Sequence, residues 1–236
     1  MKKNIYQSYE KLSSHYEFDV DTKPYNAYLE RPEMVNHLPQ LSGRQVLDAG
    51  CASGWYAAFM AKQGAEVTAI DLSDSMIEAA KRRTQGQNVH AFAHDLTRPL
   101  PFENNRFNVI ISSLTLHYIK DWQPIFHEFH RILKPGGTFL FSTHHPFMDY
   151  ENFPIADYYE TQLLHDQWEV NGELVDMWFY RRPLNQITHY VNEYFLMKKL
   201  IEPFPTKEFK HIHPNGYEKV STKPNFLIIK AEKPGS

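Results

Sequence analysis

Apolar and polar residues alternate between residues 44 and 143 in the rhythm of strands joined by helices. Five apolar runs predict strands: RQVLDAG, AEVTAID, NVHAFAHDL, RFNVIISS and GTFLFST. RFNVIISS is nearly continuous in apolar residues, which is typical of a strand covered on both faces. Stretches with helical spacing, such as DSMIEAAKRR, separate these runs. The pattern predicts an α/β fold with a doubly wound parallel sheet, which binds ligands at the carboxyl ends of its strands.

Capping residues mark where two of the predicted helices begin and end. One helix is expected from about Gly54 to Gln63, and Gly64 is placed to end it. The next helix starts after Ser73 or Asp74, either of which is a good N-cap residue. Each of the two helices follows directly on a predicted strand, so a short stretch of sequence predicts each strand-turn-helix unit.

The remaining parts of the chain have different patterns, and we expect all of them to belong to one domain. Residues 1–40 are polar and aromatic and predict a helical N-terminal lid, ahead of the cofactor-binding core at 44–143. Residues 147–186 form an insertion that we expect to cover the substrate. In the closing segment 187–232, the apolar stretches YFLMKKLIEP and NFLIIKAEK predict an antiparallel pair of strands.

The spacing of glycines after the first strand distinguishes between two adenosine-containing cofactors. A dinucleotide fingerprint that starts at Gly50 requires glycines at positions 52 and 55, where the chain has Ala52 and Trp55. S-adenosylmethionine enzymes typically have an acid followed by G-x-G-x-G. Asp48, Gly50 and Gly54 match that pattern, and only Ala52 departs from it. The spacing therefore favours S-adenosylmethionine over a nicotinamide dinucleotide.

Two acids near this turn have the chemistry that such a cofactor requires. The methionine part carries a carboxylate and a cationic amine, so Asp48 suits the amine while backbone N–H groups of the following helix suit the carboxylate. The second strand ends at Asp71, whose two oxygens suit the two ribose hydroxyls. Acids at that position also serve dinucleotides, so Asp71 does not by itself discriminate.

Composition and charge narrow the class of partner. The 236-residue chain is 42% hydrophobic, enough for a full core, and its net charge of -3 provides no positive field for nucleic acid or anionic membrane. Cys51 is the single cysteine, which suits a reducing cytoplasm. We find neither a signal peptide nor a run of 18 apolar residues. These features predict a cytoplasmic protein with a small-molecule substrate.

Together these residues resemble the class I S-adenosylmethionine-dependent methyltransferases, in particular the group that includes the ubiquinone and menaquinone biosynthesis enzymes. The resemblance is strong over residues 44–143 and weaker towards both ends. It implies a Rossmann-like, doubly wound sheet of seven strands in the order 3-2-1-4-5-7-6, with strand 7 antiparallel. It also implies S-adenosylmethionine as the methyl donor and S-adenosylhomocysteine as the product.

The resemblance assigns cofactor contacts residue by residue. Asp71 matches the ribose-binding acid, Asp95 the acceptor for the adenine amino group, and Ser112 a backbone carbonyl that faces the cofactor. Tyr25, and with it Tyr9 and Tyr16, belongs to a segment that forms a lid in similar proteins. The expected cofactor-binding residues are Tyr25, Asp48, Gly50, Gly54, Asp71, Leu72, Met76, Asp95, Leu96 and Ser112.

Histidines supply the candidate general bases. Methyl transfer needs a base only when the acceptor arrives protonated, because the donor carbon is already activated by a positive sulfur. His117 follows the fourth strand, and His144 and His145 follow the fifth, so each is a candidate base or a packing residue. His145 and His117 are the preferred catalytic candidates. His211 and His213 lack a third ligand in suitable spacing, so we expect no metal site.

The insertion supplies a hypothesis about the acceptor. Residues 147–180 contain nine aromatic residues and eight acids but no lysine or arginine. They predict an aromatic pocket that favours a cationic or amine-bearing substrate. The alternative is that the acids face solvent and partly pair with Arg181 and Arg182.

Sequence alone therefore predicts a methyltransferase that acts on oxygen, nitrogen or carbon of a small molecule, as a monomer or homodimer. A nucleic-acid or protein methyltransferase and a non-catalytic S-adenosylmethionine-binding protein are the alternatives. A dehydrogenase is disfavoured by Ala52 and Trp55.

Overall fold

The computed structural model describes residues 21–155, 157–170 and 172–235. Strands in chain order are β1 (Gln45–Ala49), β2 (Glu66–Asp71), β3 (Val89–Ala93), β4 (Phe107–Ser112), β5 (Leu133–His144), β6 (Gln162–Val170), β7 (Glu173–Arg181), β8 (Leu196–Ile201) and β9 (Phe226–Glu232). Helices are α1 (Arg31–His37), α2 (Trp55–Lys62), α3 (Asp74–Arg83), α4 (Gln123–Ile132), α5 (Pro146–Asn152), α6 (Leu184–Tyr194), α7 (Lys207–Ile212) and α8 (Pro214–Thr222). A π-helical turn, Asn26–Glu30, precedes α1, and a 3₁₀ turn, Leu116–Tyr118, follows β4.

Seven of these strands form one sheet in the order β3-β2-β1-β4-β5-β9-β8. Strands β1 to β5 are parallel, whereas β9 runs antiparallel to both β5 and β8. Because β8 and β9 are the sixth and seventh strands of this sheet, the predicted order 3-2-1-4-5-7-6 is confirmed. Strands β6 and β7 pair separately as an antiparallel hairpin.

Both faces of the sheet are covered, because apolar side chains point alternately to opposite sides of each strand. In β4, Val109 and Ile111 face the core that α1, α2 and α3 cover, while Ile110 faces the core beneath α4 and α6. The second core is rich in aromatic rings, among them Phe126 of α4 and Phe139 of β5. This packing brings the carboxyl ends of the parallel strands to a common edge.

Helix α5 and the β6–β7 hairpin form the insertion after β5, and two arginines at the end of the hairpin hold it: Arg181 bonds within the insertion, and Arg182 bonds to the core. Arg181 donates to the backbone carbonyls of Tyr158 and Glu160, each at 2.6 Å. The guanidinium of Arg182 lies 4.4 Å from the centre of the Trp122 ring. Arg182 also donates to the backbone carbonyls of Ile119 and Lys120. The hydrogen bonds of both arginines therefore go to backbone carbonyls, while the Asp149 and Asp157 carboxylates of the insertion act on Arg181 through their charge. Among the described residues, we find no helix long and apolar enough to span a membrane.

Candidate active site

A cavity of about 310 Å³ opens at the carboxyl edge of the sheet. Its wall on one side comes from the turn after β1 and from the ends of β2 and β3. On the other side it comes from the segment before α1, the residues after β4, and Tyr180 of β7. Predicted site residues in the wall are Gly50, Asp71, Leu72, Asp95 and Leu96. Sequence positions that are far apart therefore meet around one space.

The turn after β1 requires a glycine at its first position. Gly50 has a φ of 84°, and a Cβ on it would lie 2.3 Å from the side chain of Thr115. Gly54 also has a positive φ, 79°, and packs against Ala80 of α3. Ala52 adopts a φ of 45°, the left-handed region in which a side chain is strained. The turn therefore keeps a glycine-like path although alanine stands at its centre.

Asp71, at the end of β2, is held by two backbone donors. The N–H of Ala52 donates to its Oδ2 at 2.9 Å, and the N–H of Ser73 donates to its Oδ1 at 3.0 Å. Ser73 also caps α3, because its Oγ accepts from the N–H of Met76 at 3.2 Å. Each carboxylate oxygen can accept more than one hydrogen bond. Asp71 therefore presents two fixed acceptors side by side in the cavity wall.

Asp95 is oriented at the end of β3 in a similar way. Its Oδ1 accepts from the backbone N–H of Thr97 at 2.9 Å and from the Thr97 hydroxyl at 2.6 Å. Leu72 and Leu96 line the cavity nearby, and Leu72 is 42% exposed although it is a large apolar residue. This end of the cavity thus combines two apolar side chains with one carboxylate.

Asp48 lies one layer behind the cavity wall. It is buried, and neither of its oxygens has a hydrogen bond of good geometry within the described chain. Burial raises the pKa of Asp48 to about 8; the Asp71 carboxylate contributes to this, while the backbone N–H of Ala57 opposes it. A buried carboxylate without strong donors attracts positive charge. Asp48 therefore lies beneath the turn at Gly50 as a carboxyl group that a nearby positive charge would favour in its anionic form.

The other predicted cofactor residues are also buried, outside the wall. Ser112 donates through its hydroxyl to the backbone carbonyl of Ala49 at 2.8 Å, which links β4 to β1. Met76 is fully buried in α3, and Gly54, in the turn that starts α2, packs against Ala80 of the same helix. These residues support the wall rather than face the cavity.

Comparison with known proteins agrees with this geometry. The family model described as "Methyltransferase domain" matches residues 47–141. A solved S-adenosylmethionine-dependent methyltransferase from Mesorhizobium loti is 25% identical, with a TM-score of 0.72 over 91% of this chain and 100% of that one. A candidate enzyme of the same kind from Listeria monocytogenes is 28% identical, with a TM-score of 0.75 over 86% of this chain and 95% of that one. The chain is a class I S-adenosylmethionine-dependent methyltransferase.

Two curated relatives show how far the likeness extends. An uncharacterized protein of Haemophilus influenzae is 27% identical over 98% of this methyltransferase and 95% of its own length. The ubiquinone biosynthesis O-methyltransferase of Coxiella burnetii is 33% identical, but the match covers 49% of this chain and 51% of that enzyme. The chain thus spans about half the length of the relative whose activity is named.

The residues of the cavity fit S-adenosylmethionine. Its ribose has two adjacent hydroxyls, and Asp71 offers two adjacent oxygens that are already oriented. Its adenine is flat and carries an amino group, which suits the apolar pair Leu72 and Leu96 beside Asp95. The amine of its methionine part would favour the anionic form of Asp48.

Neither of the two preferred histidines lines the cavity. His117 is buried, and its ring stacks on His144 with 4.1 Å between ring centres. Neither of its ring nitrogens has a hydrogen-bond partner among the described residues, and burial holds its pKa well below the usual value. His145 caps α5 by accepting the N–H of Phe147 at 3.2 Å, and its Nε2 lies 3.0 Å from Glu202. Both nitrogens of His145 are therefore engaged outside the cavity.

The tyrosine that was expected to belong to a lid over the cofactor packs against helix α7 instead. Tyr25 packs edge-on against Phe209 of α7 and against His213, with ring centres 5.4 and 6.0 Å apart, and it is not part of the cavity wall. Tyr9 and Tyr16 lie outside the described residues. Within the described part of the same segment, it is Asn26, Glu30 and Arg31 that reach the wall.

The insertion contributes less to the cavity than its composition suggested. Of its nine aromatic residues, Tyr180 lines the wall, whereas Phe147 and Tyr159 are 56% and 74% exposed. None of its acids with a described side chain lines the cavity. The exposed ones are Glu151, Asp157, Glu160, Glu169 and Asp176. The part of the hypothesis that placed these acids around the acceptor is therefore wrong.

One buried acid that the sequence reasoning missed does face the cavity. The Glu30 carboxylate accepts hydrogen bonds from the hydroxyls of Tyr56 at 2.8 Å, Ser113 at 2.9 Å and Ser142 at 2.6 Å. Burial raises its pKa. The only signal in the sequence was an acid inside the aromatic and apolar segment PYNAYLERP, where no strand or glycine turn marks it.

Proposed function

We propose that this methyltransferase acts on a small molecule that binds in the same cavity as the methyl donor. The observation that carries the proposal is the division of the wall into two ends. Asp71 and Asp95 follow β2 and β3 on one side of β1, whereas Glu30 bonds to Ser113 after β4 and to Ser142 of β5 on the other side, where Tyr118 also follows β4. In this proposal the first end binds the adenosine part of the donor, so the second end is available to an acceptor.

In this proposal, Asp71 binds the ribose, and Asp95 with Leu72 and Leu96 binds the adenine. Gly50 allows the backbone to approach the methionine part, with Asp48, Gly54, Met76 and Ser112 as supporting residues. When bound, S-adenosylmethionine supplies a methyl group on a positive sulfur, and the sulfur retains the electron pair of the broken bond. The protein then has to align the acceptor with that methyl group and exclude water.

Three observations support a small acceptor over a macromolecule. The segment before α1 and Tyr180 of the insertion belong to the wall of a cavity of about 310 Å³, which is the size of a small-molecule pocket. The net charge of -3 does not favour nucleic acid. The curated relative from Coxiella burnetii, which is 33% identical over 49% of this chain, is a ubiquinone biosynthesis O-methyltransferase.

Transfer of a labelled methyl group tests the proposal directly. Purified protein is incubated with methyl-labelled S-adenosylmethionine and with separate small-molecule, RNA and protein fractions of a bacterial extract. We expect label in the small-molecule fraction and its loss in Asp71→Asn, but not in Glu66→Gln, a change at the exposed start of the same strand. Label confined to RNA or protein would contradict the proposal.

A further inference from the structure

The Glu30 carboxylate is a prepared anionic site at the second end of the cavity. It joins four elements. Glu30 itself ends the π-helical turn before α1, and its hydroxyl donors come from α2, the loop after β4, and β5. Each hydroxyl has one hydrogen to donate, and each of the three donates it to this carboxylate. The network therefore holds Glu30 as an acceptor of hydrogen bonds, with its position fixed before any ligand arrives.

The loop that carries one of these donors is strained. Leu114 has a φ of 46°, which is costly for a large side chain. Its N–H donates to the Ser142 hydroxyl at 3.0 Å, and Ser142 in turn donates to Glu30. The neighbouring Thr115 hydroxyl donates to the carbonyl of Ser113 at 2.9 Å. These bonds hold the strained loop so that Ser113 reaches Glu30.

The surroundings of Glu30 favour a positively charged group. The guanidinium next to it in sequence, that of Arg31, lies 4.0 Å from the centre of the Trp55 ring, donates to the carbonyl of Asp21, and by its charge favours the anionic form of Glu30, so a positive group is already accommodated beside this carboxylate. Tyr118 and Tyr180 also line the cavity. Aromatic faces attract cations, and a carboxylate removed from water attracts them more strongly than an exposed one.

We propose that Glu30 binds the ammonium group of an amine acceptor and accepts the proton that this group must lose before methylation. This inference rests on the proposed function and names its substrate class. In the proton step one N–H bond breaks and an O–H bond forms on Glu30. The electron pair of the N–H bond stays on nitrogen and becomes the lone pair that can bond to the methyl carbon. A raised carboxyl pKa, here caused by burial, makes the carboxylate a better proton acceptor.

Binding of a matched pair of probes tests the inference without turnover. Benzylamine and benzyl alcohol have nearly the same shape but differ in charge. With saturating S-adenosylhomocysteine, we expect the wild type to bind benzylamine at least about tenfold more tightly. Glu30→Gln is expected to abolish that preference, whereas the control Glu33→Gln, whose carboxylate pairs with His37 in α1, should keep it. An unchanged preference in Glu30→Gln, or none in the wild type, would overturn the inference.

A second measurement separates the acceptor from the methyl donor, which also carries an ammonium group. S-adenosylhomocysteine has that group and 5′-methylthioadenosine lacks it. We expect Glu30→Gln to bind both within about twofold of the wild type. A selective loss of S-adenosylhomocysteine affinity would assign Glu30 to the donor and overturn the acceptor role. Should Glu30→Gln fail to fold, Glu30→Asp withdraws the charge by one methylene, and an amine preference unchanged in that variant would equally overturn the inference.

The labelling experiment distinguishes failure of this inference from failure of the proposed function. Methyl transfer to neutral hydroxyl compounds, with none to amines, would leave the small-molecule function standing and remove the role of Glu30. An absence of label in any small molecule would remove both.

Discussion

The backbone N–H of Ala52 donates to Oδ2 of Asp71 at 2.9 Å, so the glycine-bearing turn after β1 and the acid after β2 form one hydrogen-bonded unit. The N–H of Ser73 completes the unit at the other oxygen of Asp71. A change at either Ala52 or Asp71 must therefore affect both the shape of the turn and the ligand contacts of the carboxylate.

Asp71→Asn should weaken the binding of S-adenosylhomocysteine by at least about tenfold, since hydrogen bonds to a charged group contribute about 1.5–3 kcal/mol. The amide retains one acceptor oxygen, and its NH₂ group would face a backbone N–H that donates to the wild-type carboxylate. Calorimetric titration measures the effect, with Glu66→Gln as control. Equal affinity in Asp71→Asn would contradict the ribose-binding role.

Ala52→Gly should stabilise the protein by about 0.5–1 kcal/mol, because the left-handed conformation costs alanine about 1–2 kcal/mol and the greater freedom of unfolded glycine offsets part of the gain. Urea denaturation without ligand measures the change. Ala58→Gly, in the interior of α2, is the matched control and should destabilise the protein. A loss of stability in both variants would show that the φ of 45° at Ala52 is not strained.

Asp48 should make the stability of the ligand-free protein fall as pH rises. The pKa of Asp48 is about 8 in the folded protein, compared with the usual 3.8 that applies to the unfolded chain. Between these two pH values the folded protein holds a proton that the unfolded chain has released. Stability then decreases with pH across this window, by up to about 1.4 kcal/mol per pH unit, and levels off above pH 8.

Asp48→Asn cannot titrate, so its stability relative to the wild type should increase from pH 5 to pH 8. Urea denaturation at several pH values provides the comparison, and Asp74→Asn, an exposed acid at the start of α3, is the control. A difference between Asp48→Asn and the wild type that stays constant with pH would exclude a raised pKa at Asp48.

Arg181→Met should loosen the insertion, because the carbonyls of Tyr158 and Glu160 lose a buried cationic donor. We expect faster hydrogen exchange in residues 157–161 and a loss of about 3 kcal/mol in the free energy of unfolding. Arg98→Met, at a side chain that is 77% exposed, is the control. Unchanged exchange in this segment would mean that Arg181 does not hold residues 157–161 in place.

The cofactor half of the site was predictable because its signals are local. The β1-turn-α2-β2 unit occupies about 25 consecutive residues. A cap at Ser73 or Asp74 was predictable because capping depends on neighbours three positions away, and Ser73 is the residue that caps α3. Even here the sequence did not reveal that Asp48 lies behind the wall, since burial of a side chain depends on what packs over the turn.

The histidines show why position after a strand is not enough. His117 and His145 both follow strands at the carboxyl edge, as predicted, yet one stacks on His144 and the other caps α5. The direction of each side chain is set by the turn or helix that follows the strand. That geometry depends on contacts with the insertion, for example between His117 and Phe179, whose ring centres are 5.9 Å apart.

The sequence by itself determined the alternation of strands and helices and the glycine-bearing turn after β1, because these follow from periodicity and spacing over short stretches. The strand order and the methyltransferase class followed from the resemblance of the same stretch to a known family. Only the tertiary structure decided which residues form the acceptor end. Glu30 meets Tyr56, Ser113 and Ser142 across separations of 26, 83 and 112 residues. Such contacts carry no periodic signal, since they exist only after the sheet has brought the ends of β4 and β5 together beneath the segment before α1.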